Sequence, residues 1–289
     1  MTICIDDYRD KVTIADGAWA TELDKWGCPP GICREELNVT QPDCVKQVVE
    51  RYIQAGAQIV LTNTCGANKW MLEPYGLSNK TIELNHAGAQ ISKKAAANQA
   101  CVFGTIGTSG KIVLMNEVGE DELADAFSQQ ARALTDGGAD ALLVTKMTEM
   151  AEAVAAIKAA KATGLLVAGT MTFDSGPDRT HTAMGVAIQD AVEKMVEAGA
   201  DIVGCECGVG IEDYAKIVEI IHRVTDKPIW VKADAGLPEI DGGKIVYPLK
   251  PQEYADQAKK LVEAGANIIG GCCGTSPDFV RALCQTLLH

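Results

Sequence analysis

Two clusters of cysteine stand out as groups able to do chemistry. Gly204-Cys205-Glu206-Cys207-Gly208 and Gly270-Gly271-Cys272-Cys273-Gly274 each close an apolar run with thiols flanked by glycine. Their lead-ins match: VEAGADIVG ends at Gly204 and VEAGANIIG ends at Gly270, a register that sets Cys207 against Cys273. Thiolates are soft ligands, and Cys207, Cys272 and Cys273 suffice to hold one Zn²⁺ with a fourth position open, the mark of a catalytic rather than a structural zinc. Adjacent cysteines cannot share a face of a regular strand, so the backbone must bend there, and Gly270, Gly271 and Gly274 give it that freedom. The same spacing also fits a pair of core thiols or a redox-active vicinal pair.

The elements that would position these thiols repeat along the chain. Residues 54–61 and 136–144 have the same form as the two lead-ins: a helix that ends at glycine, then a short aliphatic run. A left-handed glycine closes the helix, and the run reads as a buried parallel strand. Residues 11–15, 101–106, 165–170 and 228–233 supply four more strands. Helical periodicity fills the intervals at 42–55, 80–98, 120–136, 149–162, 188–198, 211–224, 251–264 and 277–288, with Pro42, Pro251 and Pro277 in first turns. Eight strand–helix units predict an α/β fold, a single closed (β/α)₈ TIM barrel over residues 1–289. An open doubly wound sheet is the runner-up, but no Gly-x-Gly-x-x-Gly follows the first strand. Two longer insertions, 107–119 and 237–249, interrupt the pattern, and Asp241-Gly242-Gly243 has the composition of a hairpin turn.

Barrel sites form at the C-terminal ends of strands. Those ends carry Asp16-Gly17-Ala18, Thr62-Asn63-Thr64, Gly107-Thr108, Thr145-Lys146, Met171-Thr172, Cys205-Glu206-Cys207, Asp234-Ala235-Gly236 and Cys272-Cys273. The four histidines fall elsewhere. A net charge of −13 argues against nucleic-acid partners and anionic membrane surfaces. No N-terminal stretch resembles a signal peptide and no run reaches the roughly 18 apolar residues of a membrane span, so the expected location is cytoplasmic. Eleven cysteines then read as reduced thiols, with Cys4, Cys28, Cys33, Cys44, Cys101 and Cys284 as small core hydrophobes.

In Asp16–Leu23 (DGAWATEL), Leu61–Asn68 (LTNTCGAN), Met171–Asp174 (MTFD), Ala235–Pro238 (AGLP) and above all Gly270–Thr275 (GGCCGT), the chain resembles the homocysteine S-methyltransferase family. That family includes the homocysteine-binding module of cobalamin-dependent methionine synthase and betaine–homocysteine methyltransferase. The resemblance covers nearly the whole chain. It implies a (β/α)₈ barrel, a zinc held by Cys207, Cys272 and Cys273 with no catalytic residue beyond these ligands, and a small thiol that is deprotonated at the open zinc position and attacks an activated methyl group. Ala18 and Glu22 fall where relatives orient the amino acid. Departures cluster at the same rim. The family's Glu-Thr on the fourth strand, whose Glu receives the amino group of homocysteine, is Thr145-Lys146 here, Glu206 and Asp234 replace asparagines, and Trp19 and Ala20 stand in the first loop. Either Glu206 or Asp234 takes over the ammonium of homocysteine, or Lys146 pairs with the anionic group of a different thiol. If strand alternation held, Lys146 would instead face the helices. The chain lacks the Asp-x-His-x-x-Gly signature of cobalamin binding. The expected methyl donor is therefore a small molecule or a corrinoid carried by a separate protein, with the two insertions as its docking rim. A zinc- or thiol-binding subunit without activity and a Schiff-base aldolase using Lys146 or Lys232 are the remaining readings.

Overall fold

The computed structural model of the protein describes residues 5–25, 31–242 and 244–288. Its strands are β1 (Thr13–Ile14), β2 (Ile59–Leu61), β3 (Cys101–Ile106), β4 (Ala141–Met147), β5 (Leu166–Met171), β6 (Ile202–Gly210), β7 (Ile229–Asp234), a small antiparallel hairpin of β8 (Glu239–Asp241) and β9 (Lys244–Val246), and β10 (Ile268–Gly271). Eight of them form one parallel sheet in the order β1-β10-β7-β6-β5-β4-β3-β2. The ring closes where Ala15 bridges Ile59 in parallel and the Asp16 N–H donates to the Ile59 carbonyl at 3.0 Å. The expected (β/α)₈ barrel is therefore present.

Each strand splits its residues by parity, because successive side chains leave opposite faces. Val102, Leu142, Val144, Val167, Val203, Val231 and Ile269 pack outward against the helices. Ile59, Phe103, Ala141, Leu143, Ala168, Ile202, Trp230 and Ile268 point into the barrel and fill its N-terminal half, with Tyr8 stacked edge-on to Phe103 below. Further along the same inward parity lie Thr105, Thr145, Thr170, Glu206 and Lys232, all buried. The apolar plug thus stops halfway, and the upper layer is polar.

The outer layer contains α3 (Pro42–Gln54), α5 (Thr81–Ala96), α6 (Glu120–Asp136), α7 (Met150–Lys161), α8 (Ile188–Glu197), α9 (Ile211–Val224), α10 (Pro251–Glu263) and α11 (Pro277–Leu287). Pro42, Pro251 and Pro277 open their helices, where the missing N–H costs nothing. The repeated glycines do what the repeat demands: Gly56, Gly138, Gly199 and Gly265 have φ of +105°, +97°, +105° and +110°, a region hostile to any Cβ. Three short helices in the loops, α1 (Ala20–Lys25), α2 (Leu37–Thr40) and α4 (Lys69–Leu72), have no counterpart in the sequence periodicity. The first strand is shorter than the expected 11–15, and β6 runs six residues past Gly204. The turn expected at Asp241-Gly242-Gly243 connects β8 to β9, and Gly242 has φ +55°; Gly243 lies outside the described residues. Among the cysteines expected in the core, Cys33 is buried, Cys44, Cys101 and Cys284 are half-buried, and Cys4 and Cys28 lie outside the described residues. No helix among the described residues is long and apolar enough to cross a membrane.

Candidate metal and ligand site

Strand parity places Glu206, Lys232 and Asp234 inside the barrel but directs Cys207 and Lys146 to the helices. Both escape through a bulge. On β6 the register with β7 jumps from Glu206↔Lys232 to Gly210↔Asp234, so β6 advances four residues while β7 advances two. Cys207 sits there with φ +62° and Gly208 follows with φ +87°. On β4 the register with β5 shifts between Val144 and Met147, and Lys146 has φ +59°. A left-handed conformation costs a residue with a Cβ roughly 1–2 kcal/mol, and extra residues in strands commonly re-aim side chains beside functional sites. Cys205, one residue before the β6 bulge, keeps its parity and stays in the outer core.

The re-aimed Cys207 meets the thiols that follow β10. Its Sγ lies 3.7 Å from that of Cys273, which lies 4.0 Å from that of Cys272. Together with an oxygen of Asp234, the three sulfurs fall within 4.8 Å of one another, a group that could hold a metal ion. Asp234 binds both loops: one oxygen accepts the Cys273 N–H at 2.8 Å and the other the Gly208 N–H at 3.2 Å. Tyr214 donates its hydroxyl to the Cys207 carbonyl at 2.7 Å, and Thr275 donates to that of Cys272 at 2.7 Å. Gly274 turns the chain with φ +80°, and a Cβ there would lie 2.2 Å from the ring of Tyr247, which reaches over from the 237–249 insertion.

Electrostatics within the cluster are those of a site short of positive charge. Hydrogen bonds from Cys207 and then Cys272 pull the Cys273 thiol down to about 4, while the same contacts hold Cys207 far above the ordinary thiol range. Burial, followed by the charge of Cys272, raises both Glu206 and Asp234 to about 7.

A cavity of about 430 Å³ lies over these residues. Cys272, Cys273, Thr145, Lys146, Glu206 and Lys232 form its polar end; Trp19, Ile32, Leu61, Met71 and Tyr75 form apolar walls. Thr145 donates to Glu206, 61 residues away, through their Oγ1 and Oε1 atoms, whereas Glu206 Oε2 is buried without a partner. Lys146 is reached through the cavity, and the charges of Cys65 and then Cys272 raise its ammonium well above the usual range. Lys232 is bound by Asp16 at 2.5 Å, both side chains being buried. That ion pair makes Lys232 a wall of the site rather than the free amine a Schiff base requires.

Of the residues singled out in the sequence, Cys207, Cys272, Cys273 and Asp234 converge on one point, and Ala18, Thr145, Lys146 and Glu206 line the adjoining cavity. The backbone groups of Ala18 are already used, its N–H by Thr275 Oγ1 at 3.0 Å and its carbonyl by the Tyr52 hydroxyl at 2.6 Å. Glu22 is buried, paired with Lys25, and does not contribute to the cavity lining. Sequence reasoning overlooked Cys65, Arg34, Glu35, Met71 and Tyr75, which come from the loops after β1 and β2. Only Cys65 carried a signal, since it immediately follows the second strand end.

The family model for homocysteine S-methyltransferase matches residues 13–287. The chain is 29% identical over 302 residues to a methionine synthase of Mycobacterium leprae (strain TN), covering 97% of this chain and 24% of that protein. It is 28% identical over 310 residues to a methionine synthase of Mycobacterium tuberculosis, with 100% and 26% covered. The chain therefore spans about a quarter of the length of these relatives. Among solved structures, the metallated form of the homocysteine methyltransferase MmuM from Escherichia coli superposes with a TM-score of 0.78 at 22% identity, covering 95% of this chain and 96% of that one. The carboxyl transferase domain of Rhizobium etli pyruvate carboxylase superposes with a TM-score of 0.56 at 12% identity, over 96% and 47% of the two chains. Both structural likenesses speak to the fold.

Proposed function

The chain belongs to the homocysteine S-methyltransferase family, and from that premise we propose that it is a zinc-dependent S-methyltransferase whose methyl acceptor is homocysteine. The convergence of three thiols beside the cavity carries this reading. Tetrahedral zinc with Zn–S bonds of ~2.3 Å sets its sulfurs ~3.8 Å apart. The separations of 3.7 and 4.0 Å fit that demand, and an all-thiol donor set suits zinc among the common divalent ions.

A zinc ion held by Cys207, Cys272 and Cys273 would supply the deprotonation of an incoming thiol at neutral pH. The chain does the rest. Asp234 ties the two ligand-bearing loops together, so the sulfurs converge before any ion arrives. Trp19, Met71 and Tyr75 offer apolar surface to the aliphatic part of the acceptor and to an approaching methyl group. Thr145 orients Glu206 at the polar end. The methyl donor enters at the mouth as a small molecule or as a corrinoid carried by another protein. Zinc content and thiol methylation by the Cys273→Ser chain test this function. Loss of both is expected, and retention of either in full overturns it.

The unpartnered ammonium of Lys146 favours one second reading, in which an anionic thiol without an amino group, such as a mercaptoalkane carboxylate or sulfonate, is the acceptor.

A further inference from the structure

Three cationic side chains line the cavity. Asp24 holds Arg34 at 2.9 Å and Asp16 holds Lys232 at 2.5 Å. Lys146 has no hydrogen-bond or ion-pair partner among the described residues. Two carboxylates line the same space. Glu35 accepts the Gly66 N–H at 2.8 Å and the Cys33 thiol at 3.6 Å. Glu206 is 3% exposed, one of its oxygens takes the Thr145 hydroxyl, and Oε2 has nothing. The cavity therefore leaves one cation and one carboxylate oxygen unmatched, beside the thiols.

A buried acceptor without a donor costs its full desolvation, which applies to Glu206 Oε2, whereas the Lys146 side chain is exposed to the cavity and open to an anionic ligand. Lys146 reaches the cavity only because β4 bulges at a left-handed position, and Glu206 is turned by a hydroxyl from that same bulge, Thr145. We propose that Lys146 and Glu206 form a two-ended clamp for the head group of an α-amino acid, with Lys146 taking the α-carboxylate and Glu206 Oε2 taking the α-ammonium. A zwitterion satisfies both groups at once. A mercaptoalkane carboxylate or sulfonate satisfies Lys146 alone and sets a second anion near the orphaned oxygen. The clamp makes Thr145 a positioning residue. It rests on the reading above, in which the acceptor's sulfur goes to the metal.

The test is calorimetric binding to the zinc-loaded chain of four ligands: homocysteine, 4-mercaptobutanoate (no amino group), 3-mercaptopropylamine (no carboxylate) and homoserine (no sulfur). Homocysteine should bind at least about tenfold more tightly than either truncated thiol, the factor expected of one hydrogen bond to a charged group. Glu206→Gln should remove the advantage of homocysteine over 4-mercaptobutanoate and leave 4-mercaptobutanoate unchanged. Lys146→Met should remove its advantage over 3-mercaptopropylamine. Zinc content, measured in each variant, should stay at the wild-type level. Equal affinity of the wild-type chain for homocysteine and 4-mercaptobutanoate overturns the clamp without recourse to any variant. So does a Glu206→Gln chain that loses both ligands alike. If homoserine binds as tightly as homocysteine and depends on Glu206 and Lys146 in the same way, the clamp stands and the thiol-methyltransferase reading falls.

Discussion

Asp234 accepts the backbone N–H of Cys273 at 2.8 Å, and its second oxygen accepts that of Gly208, next to Cys207. One carboxylate thus sets the spacing between thiols that lie on two different strands. Such outer partners commonly govern metal affinity by roughly 10–100-fold. Asp234→Ala should weaken zinc binding by about that factor in a competition titration against a chromophoric chelator. Unchanged affinity would show that the loops hold their shape without it.

The Lys232–Asp16 pair is a buried ion pair in the wall of the ligand cavity. Asp16 also accepts the Leu61 N–H at 2.8 Å and the Trp19 indole N–H at 2.9 Å, so it ties the first loop to β2. Removing one partner of a buried pair strands the other charge, at a cost of about 3–5 kcal/mol. Lys232→Met should lose stability on that scale in urea denaturation, and the Asp16→Asn/Lys232→Met double variant should lose less than the two single changes combined. Strict additivity would mean that the two groups are not coupled.

Glu152 anchors the 107–119 insertion. It accepts the Ser109 N–H at 2.6 Å, the Ser109 hydroxyl at 2.5 Å and the Thr108 hydroxyl at 3.0 Å. Burial nonetheless raises its carboxyl above the ordinary value of 4.5. A carboxyl raised on folding favours the folded chain most below its unfolded value, and that contribution fades as pH rises through the folded value. The stability of the wild type relative to Glu152→Gln should therefore fall as pH climbs from 4.5 toward neutrality, measured by urea denaturation across the range. A difference that grows with pH would mean that the three donors outweigh burial.

Much of this was legible before any coordinates. Strands buried on both faces read as continuous aliphatic runs, and the glycines at 56, 138, 199 and 265 mark the helix ends because no other residue tolerates those angles cheaply. The repeat register alone aligned Cys207 with Cys273. Inward parity, counted from Phe103, Leu143, Ile202 and Trp230, would also have placed Thr145, Glu206 and Lys232 in one layer. The two bulges were not legible. Whether Lys146 faces a helix or the cavity turns on a single left-handed residue, and neither composition nor periodicity reports φ. The roles of Asp234 and Thr145 were hidden for a related reason: each is defined by contacts with residues far along the chain, Cys273 and Glu206. Glu22 shows the converse, a motif residue whose charge is taken up by its neighbour Lys25 on a short helix that the periodicity did not reveal.

X-ray absorption at the zinc edge of the zinc-loaded chain, with and without homocysteine, tests the central claim most directly. The ion should show sulfur scatterers at ~2.3 Å from the three cysteines, and homocysteine should add one more sulfur at the same distance. A spectrum that homocysteine leaves unchanged, or a Cys273→Ser chain whose spectrum matches the wild type, would contradict it.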